Sequence, residues 1–222
     1  MIYAIGDIHG CNTELKLLLD KVLDDVVSGD IIVFVGDYCD RGPNTKEVID
    51  TVINLRKDMK KQGIDVITLM GNHEKMWLDY IDGIHESLWL TNGGYSTLNS
   101  YMSMNDSKHL KSSTKIPQDH LDFLKDLRLF YETKDFFICH AGLNPRFSIT
   151  QNKLNPNLEN TVLWTRELGS DKWDKIVVTG HTPRDEVFYH DKFIGIDTGC
   201  VFGNKLTALR LDDLKVYEVY KQ

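Results

Sequence analysis

The chain has 222 residues, 41% of them hydrophobic and 27% charged, with 33 acidic side chains against 26 basic ones and a net charge of −7. Those values exclude a disordered tail, a collagen-like repeat and a disulfide scaffold, and a chain of this length buries roughly 70–75% of its unfolded surface. The acidic balance argues against a nucleic-acid partner, which would call for clustered Lys and Arg to neutralise phosphates. No run reaches the roughly 18 apolar residues of a membrane span, and the opening MIYAIGDIHG lacks a basic leader with a long apolar stretch, so a cytoplasmic protein without a membrane partner is expected. Cys11, Cys39, Cys139 and Cys200 form no C-x-x-C pair and read as reduced, partly buried thiols.

In chain order, Ile2 to Ile5 is a short apolar run that stops at Gly6-Asp7, as a buried parallel strand does on meeting a loop. Leu15, Leu18, Leu19, Val22, Leu23 and Val26 then recur with a period near 3.6 residues, with Asn12 as expected N-cap. Ile31 to Val35 reads as the second strand and breaks at Gly36-Asp37. Val48, Val52, Leu55 and Met59 form the stripe of a second helix, with Gly63 beyond its end. Ile64 to Leu69 is a third strand, ending at Met70-Gly71-Asn72. Three strand–loop–helix cycles predict α/β architecture. Residues 77–129 predict a helical excursion, interrupted at Gly93-Gly94 and with a last helix after Pro117. From Phe130 the chain turns β-rich, with strands expected at Phe130 to Thr133, Phe136 to Cys139, Ile176 to Thr179, Phe193 to Ile196, Leu206 to Arg210 and Val216 to Tyr220, suggesting a second, largely antiparallel sheet. No repeat or linker divides the chain, so residues 1–222 are expected to form one domain.

The strand ends carry the chemistry, since open α/β sheets gather ligands there. They deliver Asp7 and His9 from GDIHG, Asp37, Asp40 and Arg41 from GDYCDRG, Asn72 and His73 from GNHE, His140 from CHAG and His181 from TGHT. Oxygen and imidazole donors without thiolate suit hard to borderline divalent ions, and six of them are too many for one catalytic ion with an open position. Two ions fit: Asp7, His9 and Asp37 for the first, Asn72, His140 and His181 for the second, with Asp37 between. His85, His109, His120 and His190 match no such pattern and read as ordinary surface or core histidines.

GD-x-HG, GD-x-x-DRG and GNHE in this order resemble the phosphoprotein phosphatase branch of the calcineurin-like metallophosphoesterases, in its bacterial and phage form. The resemblance implies a four-layer sandwich of two mixed β-sheets flanked by helices, and two divalent ions, manganese first with iron or zinc as the other candidates. It implies hydrolysis of phosphate monoesters by a hydroxide held between those ions, with Asp7, His9, Asp37, Asn72, His140 and His181 as ligands. It also makes Arg41 a phosphate clamp and gives Arg166, in LWTRE, the same role. His73 becomes the general acid, its ring held by Asp40. The leading expectation is a serine/threonine protein phosphatase acting on a phosphoprotein or a small phosphorylated substrate. The alternative is a diadenosine tetraphosphate hydrolase. Such enzymes resemble this chain in IDTGCVFGNKLTALRL and in Pro43 after DRG, but usually lack a carboxylate matching Asp40 and commonly have Asp in place of Glu74. A noncatalytic binding scaffold is a third reading, disfavoured because the full ligand set is present.

Overall fold

A computed structural model describes residues 1–102 and 116–222. His109 therefore lies outside the described residues. Three parallel strands, β1 (Ile2–Ile5), β2 (Ile31–Phe34) and β3 (Asp65–Thr68), are joined through helices α1 (Asn12–Leu23) and α2 (Thr45–Lys61). Two late strands, β9 (Lys205–Arg210) and β10 (Lys215–Tyr220), add to the free edge of β1 in antiparallel register, giving the order β10-β9-β1-β2-β3.

The second sheet has the order β4-β5-β6-β8-β7, from β4 (Phe130–Glu132), β5 (Phe136–Cys139), β6 (Ile176–Thr179), β7 (Phe188–His190) and β8 (Phe193–Gly195). It is mixed. Its central pairs, β5 with β6 and β6 with β8, are parallel, and only the outer pairs run antiparallel. The sequence expectation of a largely antiparallel second sheet is corrected on two points. The connection from β5 to β6 carries α7 (Ile149–Lys153) and α8 (Leu158–Trp164), which makes it a crossover, and β9 and β10 belong to the first sheet.

Side chains alternate across the strands and so serve different layers. Tyr3 and Ile5 pack with Leu15, Leu18, Val48 and Val52 of α1 and α2. Ala4, Val33 and Ile67 face Ile138, Val178 and Ile194 between the two sheets. Phe137, Cys139 and Val177 pack outward against Val162, Leu163 and Trp173. Burial on both faces explains the continuous apolar runs of the central strands. The result is helices, sheet, sheet, helices, with both sets of strand ends beside one another.

Asn12 does not cap α1. The N-cap is Cys11, and the Asn12 side chain, inside the first turn, accepts a hydrogen bond from Thr51 Oγ1 at 2.9 Å. The described part of the excursion holds the end of α3 (Asn72–Ile81), α4 (Glu86–Trp89), a π-turn over Leu90–Gly94, α5 (Tyr95–Tyr101) and α6 (Gln118–Lys125). The interruption lies at Gly93, whose φ of 111° is left-handed, and glycine at 94 is a matter of space, since a Cβ there would lie 2.5 Å from the Trp89 indole. Among the described residues no helix is long and apolar enough to cross a membrane.

Candidate active site

The loops after β1 and β2 carry most of the site, in a backbone form that L-residues avoid. Eight described non-glycine residues have positive φ, and five of them are His9, Asp37, Asp40, Arg41 and His181. Each such conformation costs about 1 kcal/mol or more and persists only where the surroundings enforce it. Glu74 supplies much of that enforcement. It stands in the first turn of α3, fully buried, and its carboxylate accepts the N–H groups of Asp37 and Tyr38 at 2.8 Å, Gly71 at 3.0 Å and Cys39 at 3.1 Å. Burial, and then Asp37, nevertheless raise its pKa above the ordinary carboxylate value. The second loop in turn clasps the first: Asp37 O accepts from Ile8 N and His9 N, and Tyr38 O accepts from Gly10 N. Glycine at 71 is a matter of space, since a Cβ there would lie 2.1 Å from Asp37 Oδ1.

All six residues expected as ligands are buried and converge. Asp37 is central, with Oδ2 3.3 Å from His9 Nε2 and Oδ1 3.5 Å from His140 Nε2. Asn72 Oδ1 lies 2.8 Å from His140 Nε2 and 3.0 Å from His181 Nδ1. Asp7 Oδ2 accepts the His181 N–H at 2.9 Å. Asp7, Asp37 and His140 form one potential metal-holding group, and His9, Asp37 and His73 another.

The donor chemistry fits divalent cations. A ring nitrogen beside a carbonyl must carry the hydrogen, so His9 donates Nδ1–H to Cys39 O at 2.7 Å and His140 donates Nδ1–H to Val35 O at 3.0 Å. In the neutral ring each then presents a bare Nε2 to the cluster. His140 is pushed toward neutrality by burial, and burial together with His140 takes His181 down to about 3. The His140 Nε2 lone pair therefore meets the Asn72 and Asp37 oxygens, a repulsive arrangement that a cation relieves. Asp7 Oδ1 is buried without a hydrogen-bond partner. Burial, then Asp197 and Asp37, push the Asp7 carboxyl well above the usual range. Burial also raises Asp37, but His140, His73 and His9 outweigh it and hold that carboxyl well below.

His73 and Asp40 form the expected pair, with His73 Nδ1 2.6 Å from Asp40 Oδ2 and both side chains buried. The helical excursion holds Asp40 in place. Trp89 Nε1 donates to Asp40 Oδ2 at 2.8 Å, and Thr97 Oγ1 donates to Asp40 Oδ1 at 2.7 Å. Trp89, fully buried, thus both packs in the core and holds a site residue. The Arg41 guanidinium touches His9 Nε2 and stands 5.3 Å from the centre of the Phe202 ring. Arg166 lies at the His181 rim, just past the end of α8, where Nη1 donates to Thr182 Oγ1 at 3.1 Å.

Sequence reasoning missed Glu74, Trp89, Thr97 and Asp197. Glu74 was legible in part, because a Glu reaching back to the Gly71 N–H at a helix start is a capping-box signal. Asp197 neighbours Asp7 electrostatically and was marked only by its place before Thr198-Gly199. His120 is buried, its two ring nitrogens engaged by Tyr101 Oη and Asp50, while His85 and His190 are exposed. All four cysteines are buried free thiols, and burial pushes the Cys39 thiol well above its ordinary pKa, which disfavours the thiolate.

A family model described as calcineurin-like phosphoesterase matches residues 1–217. The chain belongs to the calcineurin-like phosphoesterase family. Within it, the chain is 31% identical over 246 aligned positions to the bis(5'-nucleosyl)-tetraphosphatase PrpE [asymmetrical] of Anoxybacillus flavithermus, covering 99% of this chain and 94% of that protein. It is 32% identical to the protein of the same name from Oceanobacillus iheyensis, covering 98% of this chain and 91% of that protein. Among solved structures, a cold-active protein-tyrosine phosphatase of a Shewanella species superposes with a TM-score of 0.65 at 19% identity, over 98% of this chain and 79% of that one. That last likeness is one of fold. This phosphoesterase shares its two mixed sheets and flanking helices with the metallophosphoesterase structures.

Proposed function

We propose that this phosphoesterase is an asymmetrical dinucleoside polyphosphate hydrolase, and that residues 1–222 work as one domain. The observation that carries the reading is the near end-to-end match to two PrpE tetraphosphatases at about 30% identity, which reverses the order of the two activities expected from motifs alone. Exposed aromatics beside the cluster support a nucleotide substrate. The Phe202 ring, 64% exposed, lies against Arg41, and Trp164, 41% exposed, stands 6.2 Å from the His181 ring. Aromatic faces of this kind stack on bases.

In this reading Asp7, His9 and Asp37 hold one divalent ion and Asn72, His140 and His181 the other, with Asp37 shared and manganese, iron or zinc as candidates. Such ions, when bound, neutralise charge on phosphoryl oxygens and acidify water. Arg41 and Arg166 bind phosphate oxygens from opposite ends of the cluster, each guanidinium able to take two oxygens. His73 presents Nε2 as a proton donor for leaving oxygens that need one, while Asp40 fixes the ring through Nδ1.

The Asp40–His73 pair favours a second reading. A buried, oriented acid serves departing groups that need a proton, such as the alkoxide of a serine phosphate, so phosphomonoester hydrolysis is the alternative. A manganese-supported panel separates the two, comparing diadenosine tetraphosphate, a phosphoserine peptide and a phosphotyrosine peptide. The expected result is the highest kcat/KM for the dinucleotide, with AMP and ATP formed in equal amounts. Two ADP per turnover, or preference for a phosphopeptide, would contradict the proposal.

A further inference from the structure

A cavity of about 410 Å³ lies beside the His181 end of the cluster, lined by residues that include Asn144, Arg146, Asn160, Thr161, Trp164 and Glu167. Of these only Trp164 has been named above, and none takes part in the phosphoryl chemistry. Their local structure explains why the cavity is polar with one aromatic wall. Helix α8 buries Val162 and Leu163 against the second sheet, which leaves Trp164, its last residue, turned outward. The other three tryptophans, Trp77, Trp89 and Trp173, are fully buried, so the exposure of this one is a local feature of the site. Backbone Thr165 then turns extended, and Arg166 engages Thr182, the residue after His181. Aromatic face, polar pocket, arginine and imidazole cluster follow one another over a few residues of chain.

The volume falls in the range of small-molecule sites, roughly 300–1,000 Å³. The lining combines a flat π-surface with amide, hydroxyl, guanidinium and carboxylate groups that can both donate and accept. That mixture suits a nucleobase, which has a stacking face and a donor–acceptor edge, together with the hydroxyls of a ribose. The Trp164 and His181 rings, 6.2 Å apart, put a base lying on the indole within reach of the cluster through its own 5′-phosphate. A phosphopeptide would make little use of such a pocket.

We propose that this cavity is a nucleoside subsite, in which a base stacks on Trp164 and its edge and ribose bond to the Asn144, Asn160 and Glu167 wall, with Arg166 steering the attached phosphates inward. The proposal rests on the dinucleotide reading and names where one end of that substrate binds. Trp164 acts on substrate position and leaves the phosphoryl chemistry to the cluster.

The test uses the manganese-loaded full chain and the variants Trp164→Ala, Trp164→Phe and Asn160→Ala, with diadenosine tetraphosphate and p-nitrophenyl phosphate as substrates. W164A is expected to raise KM for the dinucleotide about 10- to 100-fold with kcat little changed, and to leave p-nitrophenyl phosphate turnover as it was. W164F restores most of the loss and N160A gives a smaller one. An unchanged dinucleotide KM, or equal losses on both substrates, would overturn the subsite. Calorimetric binding of α,β-methylene-ADP, which the enzyme cannot split at its bridging methylene, keeps the two readings apart. Loss of its binding in W164A supports the subsite even if the wild type proves unable to cleave the dinucleotide, and equal affinity in both proteins removes the subsite whatever the hydrolysis assay shows.

Discussion

Glu74→Ala is expected to destabilise the protein by about 3–5 kcal/mol and to abolish activity, although Glu74 touches no substrate. Removing its carboxylate leaves the N–H groups of Asp37, Tyr38, Cys39 and Gly71 without their acceptor. Each buried unmet donor costs about 1–3 kcal/mol, with relaxation reducing the sum. The left-handed backbone at Asp37 would lose its clasp at the same time, and with it the aim of Asp37 into the cluster. Urea unfolding measures the first effect. Metal affinity of the folded fraction measures the second. Glu74→Gln, which keeps one acceptor oxygen but places an amide donor against other donors, should fall between. A stability equal to wild type in both variants would show that the loops hold their shape without Glu74.

His73→Asn should slow hydrolysis of a phosphoserine peptide by roughly 10²- to 10⁴-fold and affect p-nitrophenyl phosphate or diadenosine tetraphosphate much less. The reason is the leaving group: a serine alkoxide departs only with a proton, whereas nitrophenolate and a nucleoside phosphate leave readily without one. Asp40→Asn should act in the same direction, because it removes the carboxylate that receives His73 Nδ1 at 2.6 Å. The double variant should be little worse than the worse single one, as expected for groups acting as a unit. Equal losses on every substrate would argue that His73 positions rather than protonates.

Much of this arrangement was legible in the sequence because of where apolar runs end. A central strand buried on both faces is a short block of Ile, Val and Phe, and here Ile2 to Ile5 and Ile31 to Val35 each stop at a Gly-Asp step that opens a loop carrying candidate ligands. The six candidate ligands and the Asp40–His73 pair could be read for the same reason. What escaped depends on contacts distant in sequence. Strand β7 is three residues long at a sheet edge with Tyr189 and His190 exposed, so it lacks an apolar run. The assignment of β9 and β10 to the first sheet depends on pairing with β1 some two hundred residues away, which no local pattern encodes. Trp89 and Thr97 reach Asp40 through a helical turn whose only local mark was Gly93-Gly94. Trp164 entered the sequence reading only as part of LWTRE, beside Arg166, and its own exposure became visible only with the packing of α8.

The proposed mechanism depends on Asp7, His9, Asp37, Asn72, His140 and His181 jointly holding two divalent ions, with Asp37 shared. Metal content after stripping and reloading tests this most directly, measured by calorimetric titration with manganese and elemental analysis on wild type and on Asp37→Ala. Two ions bound per wild-type chain and severely weakened binding of both in D37A are the expected outcome. Wild-type protein that takes up no ion, or a D37A chain that binds two as tightly as wild type, would contradict the account.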